Sequence, residues 1–186
     1  MQHTEQEKVV VEMLRIMGED PSREGLLETP KRVIKAWKEW FDGYKMKESE
    51  IFKTFEDGAE GCSSLVIVKD IPFVSFCEHH IAQFSGVAHI GYIPSGRIVG
   101  LSKLARITQM YAHRLQVQER ITNQIADSIV RNLAPLGVGV ILQAEHTCMS
   151  SRGVRVHGSS TITSAMRGAL MDEPSARAEF LTLIKG

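Results

Sequence analysis

Little in this sequence points toward a membrane, a nucleic acid or an oxidising compartment. No apolar run approaches the roughly 20 residues that a membrane-spanning helix needs. Lys and Arg together number 22 and so do Asp and Glu, giving a formal net charge of zero. Non-specific nucleic-acid binding requires a basic excess, so a nucleic-acid partner is not expected. Met1 to Lys8 is polar and lacks the apolar centre of a signal peptide, so the expected location is cytoplasmic. Internal repeats, low-complexity tracts and long linkers are also missing. The 43% apolar and 24% charged residues are the balance of an ordinary globular chain, and the length suits one folded core.

Cysteine is scarce as well, and the placement of the three present is informative. Cys77-Glu78-His79-His80 is answered further along by Glu145-His146-Thr147-Cys148. Each segment offers a thiol and at least one imidazole, the donors that zinc prefers, and one tight turn can present Cys77 and His80 together. A Cys77–Cys148 disulfide is the first rival, but disulfides persist mainly in oxidising compartments. A closed structural site drawn from Cys77, His79 or His80, His146 and Cys148 is the second. Adjacent His79 and His80 would diverge on a strand, which disfavours both on one ion. Three ligands with a spare imidazole in each cluster leave an open position, the arrangement of a catalytic metal and an enzyme. Cys62 has no neighbour of this kind and reads as a small apolar residue.

The N-terminal part is helical in pattern. Val10, Met13, Leu14 and Met17 recur at helical spacing until Gly18 to Pro21. Thr29-Pro30 reads as an N-cap with proline at the first helical position, followed by the stripe Val33, Ile34, Trp37, Trp40 and Phe41. After Gly61 the pattern becomes extended: Ser64 to Lys69, Ile71 to Phe76, and the alternation from Gly86 to Ile93. Ser102 is placed as the N-cap of a helix carrying Leu104, Ile107, Met110 and Tyr111. Another helix carries Ile121, Ile125, Ile129 and Leu133 and breaks at Pro135 and Gly137. Val138, Val140 and Leu142 alternate into the second cluster, Ser160 to Ser164 forms a last strand, and a tail helix starts near Pro174. Grouped strands and grouped helices indicate an α+β fold with a largely antiparallel sheet. The expected division is a helical region over residues 1–60 and a catalytic domain over 61–186.

Ser102, Lys103 and Arg106 gather a hydroxyl and two cations at a helix start, where unpaired N–H groups also favour anions. Arg152 after the second cluster could join them, and together they suit a phosphate-bearing substrate. Singly, each reads more readily as a solvated surface residue. Glu119, after Gln118, could accept a paired N–H and NH2 edge such as guanine presents, although a carboxylate at a helix start is more commonly a cap. His89 and His113 read as structural or surface residues.

Taken together, Cys77 to His80, Gly100-Leu101-Ser102-Lys103-Leu104, Val117-Gln118-Glu119-Arg120, Ala144 to Met149 and Arg152-Gly153 closely resemble the GTP cyclohydrolase I family. Glu24 to Val33 does too, so the likeness runs from about Glu24 to Leu181. The resemblance implies hydrolysis of GTP to 7,8-dihydroneopterin triphosphate and formate by a zinc enzyme. It implies a tunnelling (T-fold) unit of two strands, two helices and two strands, assembled as a homo-oligomeric toroidal decamer with active sites at subunit boundaries. Carried over by motif, Cys77, His80 and Cys148 are the zinc ligands and His79 and His146 the acid/base pair. Glu119 holds the guanine edge with Gln118 beside it, and Ser102, Lys103, Arg106 and Arg152 contact the triphosphate, with Arg32 or Lys35 as possible contributors. The chain departs from the family pattern at Ser150-Ser151, where a bulkier apolar residue is expected before the arginine, at His157 in place of proline, and at Ser160 in place of a basic residue. Related T-fold nitrile reductases rely on a nucleophilic cysteine without zinc, and pterin synthases use three zinc histidines; neither pattern fits. A non-catalytic zinc-stabilised binding module is the remaining alternative.

Overall fold

The structure, a computed structural model, describes residues 3–185; Met1, Gln2 and Gly186, at the outer ends of the two expected regions, lie outside the described residues. The chain forms two compact units, one ending at Asp42 and the other beginning at Gly43.

In the first unit, helix α1 (Glu5–Ile16) packs against α2 (Thr29–Trp40). A reciprocal capping box starts α1: the Glu7 amide donates to the Thr4 hydroxyl at 3.3 Å and the Thr4 amide to the Glu7 carboxylate at 2.9 Å. Val10, Val11 and Leu14 supply its buried face, and Gly18 in the left-handed region ends the run. At α2 the expected cap is displaced by one residue. Glu28 occupies the cap position, Thr29 opens the helix and Pro30 follows. Proline costs nothing there, because N–H groups of the first turn have no acceptor in any case.

The second unit contains α3 (Glu48–Ile51), β1 (Thr54–Phe55), β2 (Val66–Cys77), β3 (Gln83–Ile93), β4 (Ile98–Val99), α4 (Leu101–Ala112), β5 (Leu115–Gln116), α5 (Gln118–Leu133), β6 (Gly137–His146), α6 (Thr147–Ser150), β7 (Thr161–Gly168), α7 (Ala169–Asp172) and α8 (Pro174–Lys185). A five-stranded sheet runs in the order β5-β2-β3-β6-β7, and β1 pairs with β4 in a separate ribbon. The long strands are antiparallel throughout, whereas short β5 adds in parallel beside Phe76 and Cys77. This is the expected α+β order of two strands, two helices and two strands.

The two extended segments expected before Cys77 are one strand. A bulge between Val68 and Ile71 bends it, with Asp70 at φ 55°. Helix α4 begins one residue before the expected cap: Gly100 is the cap and Ser102 lies inside the first turn. Leu104 and Ile107 of α4, with Ile121, Ile125, Ile129 and Leu133 of α5, form the core against the sheet. The other face is closed by Phe180 of α8, whose ring sits so near Gly91 and Gly139 that a Cβ at either would lie 2.8 Å from it. For that reason β6 is buried on both faces over most of its length, and the alternation expected from Val138, Val140 and Leu142 is not a solvent alternation. Among the described residues no helix is long and apolar enough to cross a membrane.

Candidate metal centre and active site

Strands β2 and β6 both finish at the same end of the sheet. The register pairs Phe76 with Gln83 and Phe84 with His146, so Cys77 and His146 emerge on either side of the start of β3. Beyond Cys77 the chain reverses at once. The Cys77 amide donates to the Ala82 carbonyl at 2.8 Å, and the Ile81 amide returns to the Cys77 carbonyl at 2.8 Å. Ile81 takes φ 54°, a conformation that β-branched residues seldom accept, so the turn holds backbone strain beside the cluster. His79 and His80 therefore lie in a turn and do not diverge as they would on a strand. Each Nδ1 is 3.7 Å from the Cys77 sulfur.

Beyond His146, the single helical turn α6 carries Cys148 back toward Cys77; the Thr147 hydroxyl donates to the Gln83 carbonyl at 2.5 Å and anchors it. One donor atom each from Cys77, His80 and Cys148 lie within 4.8 Å of one another. Cys77 is buried, Cys148 half-buried and His80 exposed, so a bound ion would have protein on one side and solvent on the other. No disulfide joins the two thiols. Burial and the adjacent Cys77 sulfur push the Cys148 thiol pKa up, with Arg152 opposing. Two thiols and an imidazole form a soft donor set suited to a metal ion.

The two remaining histidines differ. His79 is exposed. His146 is stacked on Phe84, ring centroids 4.5 Å apart and planes at 7°, and its Nε2 lies 2.8 Å from the Gln118 side-chain oxygen. Burial pushes the His146 pKa down, with the charge of Glu119 working against it.

The start of α5 brings three further residues here. Gln118, expected beside the substrate, is turned inward and only 1% exposed. Glu119 is exposed, close enough to His146 for its charge to act there. Arg120 grips Glu78 with both terminal nitrogens, at 2.6 and 3.1 Å, and this bond holds the Glu78 carboxyl below its usual pKa. Arg152 reaches back from the loop after α6 to place a guanidinium nitrogen 2.9 Å from His80 Nε2. Phe84, Glu78 and Arg120 were given no role from sequence. The β-register links Phe84 to His146, a signal visible only once the strands are aligned.

Ser102, Lys103 and Arg106 are not brought to this cluster. Helix α4 runs beside β2 from the Tyr92 end, where the Val99 amide meets the Tyr92 hydroxyl, to the Ser75 end, where Arg114 follows the helix. Twelve residues of helix span about 18 Å, so Ser102 and Lys103 stand most of a helix length from Cys77 in the same chain. Arg32 and Lys35 are exposed on α2. The departures are placed too. Ser151 donates to the Thr147 carbonyl at 2.6 Å, Ser160 accepts from the Gln143 amide at 3.3 Å, and His157 is exposed in the loop between α6 and β7.

Comparison with known proteins bears on this arrangement. The GTP cyclohydrolase I family pattern matches residues 6–185. A protein of Nitrosospira multiformis named GTP cyclohydrolase 1 is 55% identical over 171 residues, covering 92% of this chain and 90% of its own. Proteins of the same name from Dehalococcoides mccartyi and Sinorhizobium fredii are 52% and 49% identical over 95% and 98% of this chain, and over 93% and 89% of their own. A solved structure, an apo archaeosine synthase QueF-like protein, aligns with 56% of this chain and 94% of its own at TM-score 0.48 and 19% identity, too remote to bear on the argument. A pattern running through both compact units, together with relatives at about half identity over nearly their whole length, means that this chain belongs to the GTP cyclohydrolase I family of enzymes.

Proposed function

We propose that this chain hydrolyses GTP to 7,8-dihydroneopterin triphosphate and formate, using zinc held by Cys77, His80 and Cys148. The observation that carries the reading is the convergence of those three donor atoms within 4.8 Å, beside two histidines outside the set, in a member of this family. Residues 61–186 are the catalytic domain in this reading and the enzyme is cytoplasmic.

A zinc ion there supplies the Lewis acidity that makes water a nucleophile near neutral pH. Protonation of guanine N7 makes C8 electrophilic, and an imidazole suits that transfer because its ordinary pKa lies near neutrality. Addition of one water at C8 opens the five-membered ring; a second releases formate. The ribose then opens and rearranges, and closure of the pterin ring expels water. His79 and His146 are the acid/base pair for these transfers. Glu119, exposed at the start of α5, is free to accept from both N–H groups of the guanine edge. Arg152 lies on the phosphate side, and its guanidinium can exchange His80 for phosphate oxygens.

Ser102, Lys103 and Arg106 complete the triphosphate contacts in this reading. The distance of Ser102 and Lys103 from Cys77 within one chain supports their being supplied by a second copy, in agreement with the homo-oligomeric toroidal decamer implied by resemblance.

The test is incubation of zinc-replete protein with GTP, following formate and the fluorescent pterin obtained after oxidation. Both products, abolished by chelator and by Cys148→Ala, are expected. Tight zinc binding with GTP untouched would overturn the reading in favour of a metal-stabilised binding module.

A further inference from the structure

Gln118 has a side-chain amide whose orientation is fixed by its neighbours. Its nitrogen lies 3.1 Å from the Leu142 carbonyl, 3.0 Å from the Thr161 carbonyl and 3.2 Å from the Thr163 hydroxyl. Carbonyl oxygens only accept, so exchanging the amide's two ends would set oxygen against two oxygens. The hydroxyls fit the same direction. Thr122 donates to the Gln118 backbone carbonyl at 2.8 Å, and Thr163, 2.6 Å from Thr122, donates to it and keeps a lone pair for the amide. The amide oxygen is thereby turned to His146 Nε2, 2.8 Å away.

We infer that Gln118 is a positioning residue that fixes the tautomer of His146: the ring carries its proton on Nε2, given to Gln118, and keeps the Nδ1 lone pair as its one proton-accepting atom. A glutamine oxygen can only accept, so the partner nitrogen must donate. Phe84, the cross-strand partner of His146, stacks on the ring and fixes its plane. With Nε2 held by Gln118 and the ring face held by Phe84, the Nδ1 lone pair keeps a single direction. Gln118 itself is only 1% exposed and its amide hydrogens are spent, which leaves it no donor for a substrate. An uncertain tautomer is costly in acid/base catalysis because only the correct form has its lone pair toward the reacting atom.

The inference rests on the acid/base role proposed for His146, but its primary test does not need GTP. Solid-state 15N NMR of the zinc-loaded protein labelled at histidine, with His146→Asn for assignment, reads the tautomer directly. The expected signature is a protonated Nε2 and an unprotonated Nδ1; a protonated Nδ1, or a mixture in the unsubstituted protein, would overturn the inference. In folded Gln118→Leu the two tautomers should mix, and kcat should fall on the order of 100-fold with KM changed by less than about threefold. A rise in KM with kcat unchanged would make Gln118 a substrate ligand and overturn the positioning role. If Gln118→Leu does not fold, the spectrum of the unsubstituted protein still decides. Thr163→Val, which leaves both carbonyl acceptors in place, should keep the signature. Should the protein leave GTP untouched, the functional proposal fails while the spectrum still reports on Gln118.

Discussion

The two clusters that meet at the end of the sheet are built differently. The first, Cys77 to His80, is a turn with a strained residue behind it; His79 and His80 are exposed, and an ion pair at Glu78 holds it on the outside. The second grows out of a strand buried on both faces, and its histidine lies against an aromatic ring with a buried amide on one nitrogen. One histidine is therefore open to solvent and the other preset. Such a pair is suited to two proton transfers of different character: one that exchanges protons with water and one that works in a fixed direction.

The most severe break in this comparison removes what the clusters share. Cys148→Ala should abolish zinc retention, measured by metal analysis after dialysis, and with it formate release, by at least about 1,000-fold. Next come the two histidines. His79→Ala and His146→Ala should each retain zinc and lose about 100- to 10,000-fold in kcat. Added imidazole separates them: it should restore part of the activity of His79→Ala, whose place is open to solvent, and none of that of His146→Ala. Equal rescue of both would erase the contrast.

A third test asks whether a pinned polar group elsewhere behaves as His146 does. Burial pushes the Glu48 carboxyl pKa up, but hydrogen bonds from Tyr111, Arg131 and Asn132 outweigh it and hold the carboxyl at about 2. A carboxyl depressed on folding adds stability above its unfolded pKa of about 4.5, and that stability is lost as pH falls toward 2. Allowing for the solvent that reaches it, Glu48→Gln should cost about 2 kcal/mol at pH 7, read by urea denaturation, and the difference should shrink between pH 4.5 and 2. The smallest effect belongs to Arg120→Ala. The Arg120 and Glu78 side chains are 46% and 33% exposed, so solvent screens the pair and the urea midpoint should barely move. A measurable loss of zinc affinity would show that the pair steadies the first cluster.

Much of this was legible in the sequence, and the boundary is physical. Cys77, His80 and Cys148 announced themselves because their donor types are rare and closely spaced, and the structure brings them together as expected. Strand and helix order followed from period and from breakers such as Pro135. The inward turn of Gln118 was hidden, since Thr163 and Leu142 come from strands far along the chain and only the sheet register sets them beside α5. The Thr29 and Ser102 caps were misplaced by one and two residues because neighbouring backbone, not the hydroxyl, sets those starts. The parallel pairing of β5 was also invisible: two residues carry no period.

Residues 118 to 120 point three ways within one turn: Gln118 to the second cluster, Glu119 to solvent, Arg120 to the first. Each residue of an α-helix is rotated about 100° from the last. Deleting one residue ahead of α5 would therefore put the Glu119 carboxylate where the amide belongs, and inserting one would put that carboxylate where the arginine reaches; either change redirects all three at once. The loop between α6 and β7, by contrast, can lengthen or shorten without redirecting any of them. Change in chain length should be absorbed there and refused at the head of α5.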